Sequence, residues 1–347
     1  MLTALLCEQK IQTLFQKISH QRSEAWNLDP ARWDWSSGVG HFGLLEVYRA
    51  TGDRAVLDYL ETWLGRVADQ RKFGSVNNVI LANVPLLLLQ QGRGQGDRTI
   101  CTEYARWCHE GSQRTSNGGW AHVWEGGDPD YRHQLWIDTM FMGVVFLARH
   151  GVAFQQPADL AEALKQLIIH LDCLFDEKAG LFRHAYHCEQ KILLGEHWSR
   201  GNGWMVASIV ELLELLATRE QPLTAAKQRF AVVMETAYRV RAEGGLLRTL
   251  PLVGEAYLET TGSALFGYAA LRGHALGLLD QRFLHWGREL AETVAHSIDS
   301  DGNIARCSYG TDPKTREVYL GLPYCQSLYA DGIALMLLAR AMMHLRG

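Results

Sequence analysis

The chain has 347 residues, 47% of them hydrophobic and 21% charged, and its 34 basic and 38 acidic residues leave a formal net charge of -4. This is a globular composition with ample material for a large core, and it lacks the basic stripe that a nucleic-acid partner requires. Seven cysteines (Cys7, Cys101, Cys108, Cys173, Cys188, Cys307 and Cys325), odd in number and without C-x-x-C spacing, suit free thiols in a reducing compartment.

In chain order, the segment from Met1 to Phe15 has no basic leader and no small-residue cleavage site, so it reads as an amphipathic first helix and not as a signal peptide. The most apolar run, 79–89, contains Asn83 and Pro85 and is far shorter than the roughly 20 residues of a membrane span. A cytoplasmic location without a membrane partner is expected. The rest of the chain repeats two kinds of helix. Segments 8–20, 53–69, 97–113, 157–175, 224–240 and 280–298 are amphipathic with a charged face, and several open with Asp or Thr at a plausible N-cap. Segments 38–50, 77–91, 138–150, 202–217, 261–278 and 326–343 are apolar nearly all round, so they must be buried.

From the second buried segment onward the starts lie at 77, 138, 202, 261 and 326, which is a repeat of two helices plus loops. Six outer and six inner helices in strict alternation predict an all-α fold, an (α/α)6 barrel formed as one domain over residues 1–347. The alternative is an open helical solenoid.

In such a ring the loops leading into the inner helices gather at one mouth. Trp26, Trp33, Trp35, Trp120, Trp124, Trp136, Trp198 and Trp204 fall in or near these loops, whereas only Trp63, Trp107 and Trp286 fall on outer helices. Indole rings offer the apolar faces that stack on sugars, though they could equally plug the barrel end. Polar residues accompany them at the first turns of the inner helices: Asn77, Asn78, Asp138, Arg200, Asn202, Glu259, Tyr324 and Gln326. A carboxylate at the head of a buried helix is costly unless capped, paired or functional, and Asp138 on local grounds fits a capping role as well as a catalytic one.

Two segments, His133-Gln-Leu-Trp-Ile-Asp-Thr-Met-Phe-Met142 and Trp198-Ser-Arg-Gly-Asn-Gly-Trp204, resemble the most characteristic motifs of glycoside hydrolase family 105, the unsaturated rhamnogalacturonyl hydrolases. The same order is similar to the related unsaturated glucuronyl hydrolases of family 88. Weaker matches at Gly38-Val39, Glu46-Val47-Tyr48, Leu181–Tyr186 and Leu258–Ala264 extend the likeness along most of the chain. The resemblance implies hydration of the C4–C5 double bond of a terminal unsaturated galacturonic acid, after which the glycosidic bond falls open. It implies Asp138 as the acid/base residue and a small oligosaccharide as substrate. His184, Trp198, Arg200 and Trp204 match positions that line the family's pocket; with Trp35, Asn77, Asn78, Trp136 and Tyr324 they form the expected substrate-binding set.

Arg200 has a rationale of its own, since a guanidinium can grip the substrate carboxylate with two parallel bonds; the alternative is a structural pair with a loop carboxylate such as Glu196. His184 is placed with binding, with a second proton carrier or a surface histidine as alternatives. Burial beside Trp136 should raise the Asp138 pKa and a nearby cation should oppose it. Where the family usually carries a second aspartate, this sequence has Asn77 and Asn78, which cannot titrate. A sugar-binding pseudoenzyme, or an isomerase of the N-acylglucosamine epimerase type, are the competing readings. No metal-binding His/Glu spacing, phosphate-cradling Gly loop or Gly-x-Ser-x-Gly elbow occurs, so neither metal nor cofactor is expected. Oligomeric state is open.

Overall fold

The computed structural model describes residues 2–94, 97–216 and 223–346. Its helices, in chain order, are α1 (Ala4–His20), α2 (Trp35–Thr51), α3 (Arg54–Val67), α4 (Asn83–Gln90), α5 (Asp97–Arg106), α6 (Val145–Ala153), α7 (Pro157–Leu174), α8 (Ser199–Leu215), α9 (Thr224–Val240), α10 (Thr260–Ala275), α11 (Gln281–Ser297), the short α12 (Arg316–Leu320) and α13 (Leu328–Arg346). Helix starts follow their capping residues. Thr3, Asp34, Asp53 and Asp280 each accept a bond from a first-turn N–H of the helix that follows. α2 ends at Gly52, which takes a left-handed φ of 66° and donates its N–H to the Tyr48 carbonyl.

α2, α4, α6, α8, α10 and α13 form an inner ring, and α1, α3, α5, α7, α9 and α11 pack around it. Nearly every residue of α8 and α10 is buried, as their lack of a polar face requires, whereas α3 and α11 bury one stripe. At roughly 1.5–3 kcal/mol for each fully buried large apolar side chain, this inner ring is the main source of stability. The ring is closed: α13 packs directly against α2, the first inner helix against the last. An open solenoid would leave those faces apart. α13 is long and apolar enough to cross a membrane, but 78% of its apolar window is buried as barrel wall.

Small residues permit the closure. A Cβ on Gly43 would sit 2.6 Å from the Gly332 Cα, and one on Gly332 would sit 2.7 Å from the Gly40 Cα, so the two helices meet backbone to backbone. At the end of the barrel away from the mouth, Arg149 donates to Glu211 at 2.6 Å and Tyr268 donates to Glu46 at 3.1 Å, tying α2, α6, α8 and α10 together.

Sequence periodicity and structure differ at several inner-helix starts. The second inner segment, predicted as one helix over 77–91, opens as a 3-10 stretch (Val76–Ala82) before α4. Pro85 has no N–H with which to bond back to the Leu81 carbonyl, which accounts for the change of winding ahead of it. The third, predicted over 138–150, opens with a π turn (Met140–Val144), a distortion that often marks functional positions. The first begins at Trp35 instead of 38 and the sixth at Leu328 instead of 326; the predicted end of the fourth, at residue 217, lies outside the described residues.

Among the described residues, seven short strands also escaped the sequence reading: β1 (Gln134–Trp136), β2 (Phe175–Asp176), β3 (Leu181–Phe182), β4 (Ala185–His187), β5 (Ile192–Leu194), β6 (Leu247–Arg248) and β7 (Leu258–Glu259). β1, β4 and β5 form an antiparallel sheet in which Trp136 faces Ala185. That sheet fixes the mouth on one side.

Candidate active site

A cavity of about 990 Å³ opens at the mouth, lined by residues from five lead-in loops. Trp35, Asn77, Asn78, Trp136, Asp138, Trp198, Arg200 and Trp204 all line it, so the repeat brings together residues more than 160 positions apart. His184 lies directly behind, buried, and Tyr324 lies elsewhere.

Asp138 is placed by the β1 strand. Immediately after it, Ile137 donates its N–H to the His184 carbonyl at 2.9 Å, and the chain turns into the π stretch, with Phe141 and Met142 both donating to the Asp138 carbonyl. The carboxylate makes no capping bond to the helix it heads, which removes the capping alternative. Its Oδ2 instead lies 3.4 Å from the Nε2 of His184, at ion-pair distance but without hydrogen-bond geometry, and neither atom has another partner. Burial pushes the Asp138 pKa up, but His184, then His122 and Arg200, outweigh it and hold the carboxyl below the usual carboxylate range. The contest left open by the sequence goes to the neighbouring imidazoles and guanidinium.

His184 is immobilised on three sides. Trp198 lies 4.7 Å away at 30°, Trp136 meets it edge-on at 5.5 Å, and its Nδ1 is 2.6 Å from the Tyr319 hydroxyl. It is no surface histidine.

Arg200 requires a correction. Its Nη1 donates to Thr261 Oγ1, the Ser308 carbonyl and Ser308 Oγ at 3.1, 2.9 and 2.9 Å, and its Nη2 donates to the Tyr309 carbonyl at 2.8 Å. The guanidinium stacks over Trp198 and Tyr329 and lies 3.7 Å from Glu259, which itself binds the first turn of α10 and the Ser308 N–H. Most of the fork expected to grip a substrate carboxylate is therefore spent on the loop at 308–309. The suggested partner Glu196 pairs with Arg183 and Arg316 instead.

Tyr324 is the second correction. Its side chain is half exposed and donates to the Leu258 carbonyl at 3.0 Å, outside the cavity. Ser308 forms an isolated antiparallel bridge to Tyr324, and it is the residue after Ser308, Tyr309, that reaches the cavity.

Several cavity residues were not anticipated. His122 stacks flat on Trp136 (4.6 Å, 3°) and its Nδ1 meets Thr139 Oγ1 at 2.9 Å; burial drives its pKa down to about 4 against the opposing charge of Asp138. It is therefore neutral near pH 7. Its position in Trp120-Ala-His-Val-Trp124, between two tryptophans of the mouth, was the available signal. Asp34 and Asp312 also line the cavity. Asp34 caps α2 through the Ser36 N–H, and burial raises its pKa although Arg32 and Lys72 oppose this. Asp312 accepts from Tyr131 at 2.8 Å. Among the described residues no group of three or more His, Cys, Asp or Glu is arranged to hold a metal ion.

The model of Glycosyl Hydrolase Family 88 matches residues 10–345. The chain belongs to this family. As a family-88 glycoside hydrolase it is similar along its length to the unsaturated rhamnogalacturonyl hydrolase YesR of Bacillus subtilis (strain 168), 25% identical over 339 residues that cover 96% of this chain and 95% of that protein. A solved structure of a possible GH105 member from Salmonella enterica serovar Paratyphi A superposes with a TM-score of 0.93 at 22% identity, covering 99% of this chain and 95% of that one. The unsaturated glucuronyl hydrolase of Bacillus sp. GL1 superposes at 0.76 with 16% identity, covering 97% and 96%. Both share the barrel fold with this hydrolase.

Proposed function

We propose that this glycoside hydrolase hydrates the C4–C5 double bond of a Δ4,5-unsaturated uronic acid at the end of a short oligosaccharide, with Asp138 as general acid and base. The observation that carries this reading is the pairing of one carboxylate with a buried imidazole at an aromatic-walled cavity, with Trp26, Trp35 and Trp124, which line it and stay partly exposed, supplying aromatic surface for a sugar ring.

Asp138 is ionised in the free protein, and a vinyl ether needs a proton delivered to C4. A substrate carboxylate entering the same cavity raises the Asp138 pKa by like-charge repulsion, which favours the proton-carrying form when substrate is bound. After C4 is protonated, the carboxylate is free to take a proton from the water that adds at C5. The hemiketal then opens and releases the neighbouring sugar. Galacturonic acid linked to rhamnose is the first substrate to test, by likeness to YesR.

The test is incubation with unsaturated disaccharides made by pectin and glycosaminoglycan lyases, following loss of the double-bond absorbance and gain of reducing sugar. Loss of absorbance on at least one substrate supports the reading. Tight binding with no loss on any of them supports a sugar-binding role, which Asn77 and Asn78 favour because they stand where the family resemblance implies a second acid.

A further inference from the structure

We propose that Tyr319 is a positioning residue for the hydration reaction just described: its hydroxyl donates to Nδ1 of His184 and holds the imidazole in the tautomer whose proton sits on Nε2, facing Asp138. The inference rests on the reading of Asp138 as the reacting group, and it assigns a task to a residue that carries no sequence motif.

The geometry is specific. Tyr319, on the short helix α12, is fully buried, and its hydroxyl is 2.6 Å from His184 Nδ1. The other ring nitrogen faces Asp138 Oδ2 at 3.4 Å, and neither of those two atoms has another partner. A bare Nε2 would set its lone pair against a carboxylate, which is repulsive, so the proton belongs on Nε2. In the neutral ring Nδ1 is then an acceptor and needs a donor. Among the described residues the phenol of Tyr319 supplies it. Burial, reinforced by the charges of Asp138 and Glu196, keeps that phenol protonated.

The backbone makes room for this bond. Gly195 has φ of 70°, and a Cβ there would lie 2.6 Å from the Tyr319 hydroxyl oxygen and 2.9 Å from the His184 Cβ. Next to it, Glu196 accepts the His184 N–H at 3.1 Å. With Trp198 and Trp136 against the imidazole, the ring has one orientation, and the phenol selects its tautomer. The Nε2–H is then ready to stabilise the Asp138 carboxylate in the half of the cycle when the acid has given up its proton. The charged or titratable groups around this pair are His122 and Arg200, which face Asp138, and Glu196 beside Tyr319.

The experiment is nitrogen-15 NMR of the imidazole groups in the unliganded protein, with the His184 signals identified by their loss in His184→Gln, followed by Tyr319→Phe. The expected wild-type pattern is a neutral ring protonated on Nε2, and Y319F should show a mixture of tautomers. With unsaturated disaccharide, Y319F should lose about 10- to 100-fold in kcat, the scale typical of a group that orients a functional imidazole, while KM changes little. A wild-type ring protonated on Nδ1 overturns the proposal, as does a Y319F protein that keeps the wild-type NMR pattern, whatever happens to its melting temperature. The NMR result needs no turnover, so a wild-type chain inactive on every unsaturated uronide would defeat the hydrolase reading without deciding this one.

Discussion

Asp138 Oδ2, on the cavity wall, and His184 Nε2, just behind it, face each other across 3.4 Å, each without another partner. Both sit at points where β1 and the start of β4 run side by side, so their separation is set by backbone pairing and not by flexible side chains. Asp138→Asn keeps the shape and removes the titrating group. It should abolish turnover of unsaturated uronides, by a factor of about 10² or more for loss of a general acid/base, while leaving affinity and melting temperature near those of the wild type. Steady-state kinetics and a binding titration check this, and retention of most of the activity would rule Asp138 out as the reacting group.

Removing His184 should be visible in the pH profile. Burial would raise the Asp138 pKa, and the imidazole is the largest of the influences that bring it down. In His184→Leu the burial remains and the compensation is gone, so the pH at which kcat/KM falls, as free-enzyme Asp138 loses the proton it must deliver to C4, should move upward. The sign also holds for stability. A depressed carboxyl pKa adds stability that is present above the unfolded value of about 3.9 and is lost as pH falls through the folded value. The stability gap between wild type and H184L should accordingly narrow in acid. A falling limb that stays in place would separate His184 from Asp138 electrostatically.

Arg200 should behave as a structural residue of the cavity wall. Its bonds to the Ser308 and Tyr309 carbonyls hold the loop that contributes Tyr309 and Asp312, and a lysine cannot reach both carbonyls from one ammonium. Arg200→Lys should lower the melting temperature, reduce kcat and raise KM together. A rise in KM alone, at unchanged stability, would restore a direct role in binding the substrate carboxylate.

The fold was legible because burial leaves a plain mark: a helix with no polar face belongs inside, and six of them at a regular spacing close a ring. Asp138, Trp136, Trp198 and Trp204 were legible because they head or flank those helices. What stayed hidden has no periodicity. Asp34 and His122 reach the cavity from loops whose course depends on the packed barrel, and Tyr319 lies on a five-residue helix that no pattern announces. Tyr324 was misplaced because its nearness to an inner helix gave no information on which side of the Ser308 bridge its ring would fall. Arg200 was located correctly, but its bonding partners at 308–309 are 108 and 109 residues away, beyond what spacing can reveal.

Away from the cavity, Lys17 on α1 donates to Asp331 at 3.0 Å in the first turn of α13 and to the Gly302 carbonyl at 3.0 Å, pinning an outer helix to an inner one. Burial pushes the Asp331 carboxyl up to about 6 although Lys17 pulls the other way. Since the unfolded value is about 3.9, the folded chain binds this proton more tightly, and stability from the group falls as pH rises between about 4 and 6. Asp331→Asn removes that titration. Thermal melts at pH 4 and pH 7 should show the wild type losing ground to D331N at the higher pH, and a wild type that gains ground instead would mean that the ion pair dominates burial.

The closure of the ring gives the sharpest contrast between two glycine substitutions. In Gly332→Ala the new methyl would overlap the Val39 carbonyl and lie 2.7 Å from the Gly40 Cα, both backbone atoms of α2 that cannot swing aside. The first and last inner helices would have to separate, stretching the stack of Trp35 on Tyr329, whose centroids are 4.9 Å apart. A loss of about 3 kcal/mol is expected, at the upper end of ordinary overpacking, with weaker substrate binding because Trp35 lines the cavity. Gly65 lies in the interior of α3, exposed, and a Cβ there meets nothing within 4 Å. Gly65→Ala should therefore add about 0.5–1 kcal/mol by reducing the freedom of the unfolded chain and favouring the helix. Denaturant melts of the two variants measure both signs, and a Gly332→Ala protein as stable as wild type would show that α2 and α13 are not in backbone contact in solution.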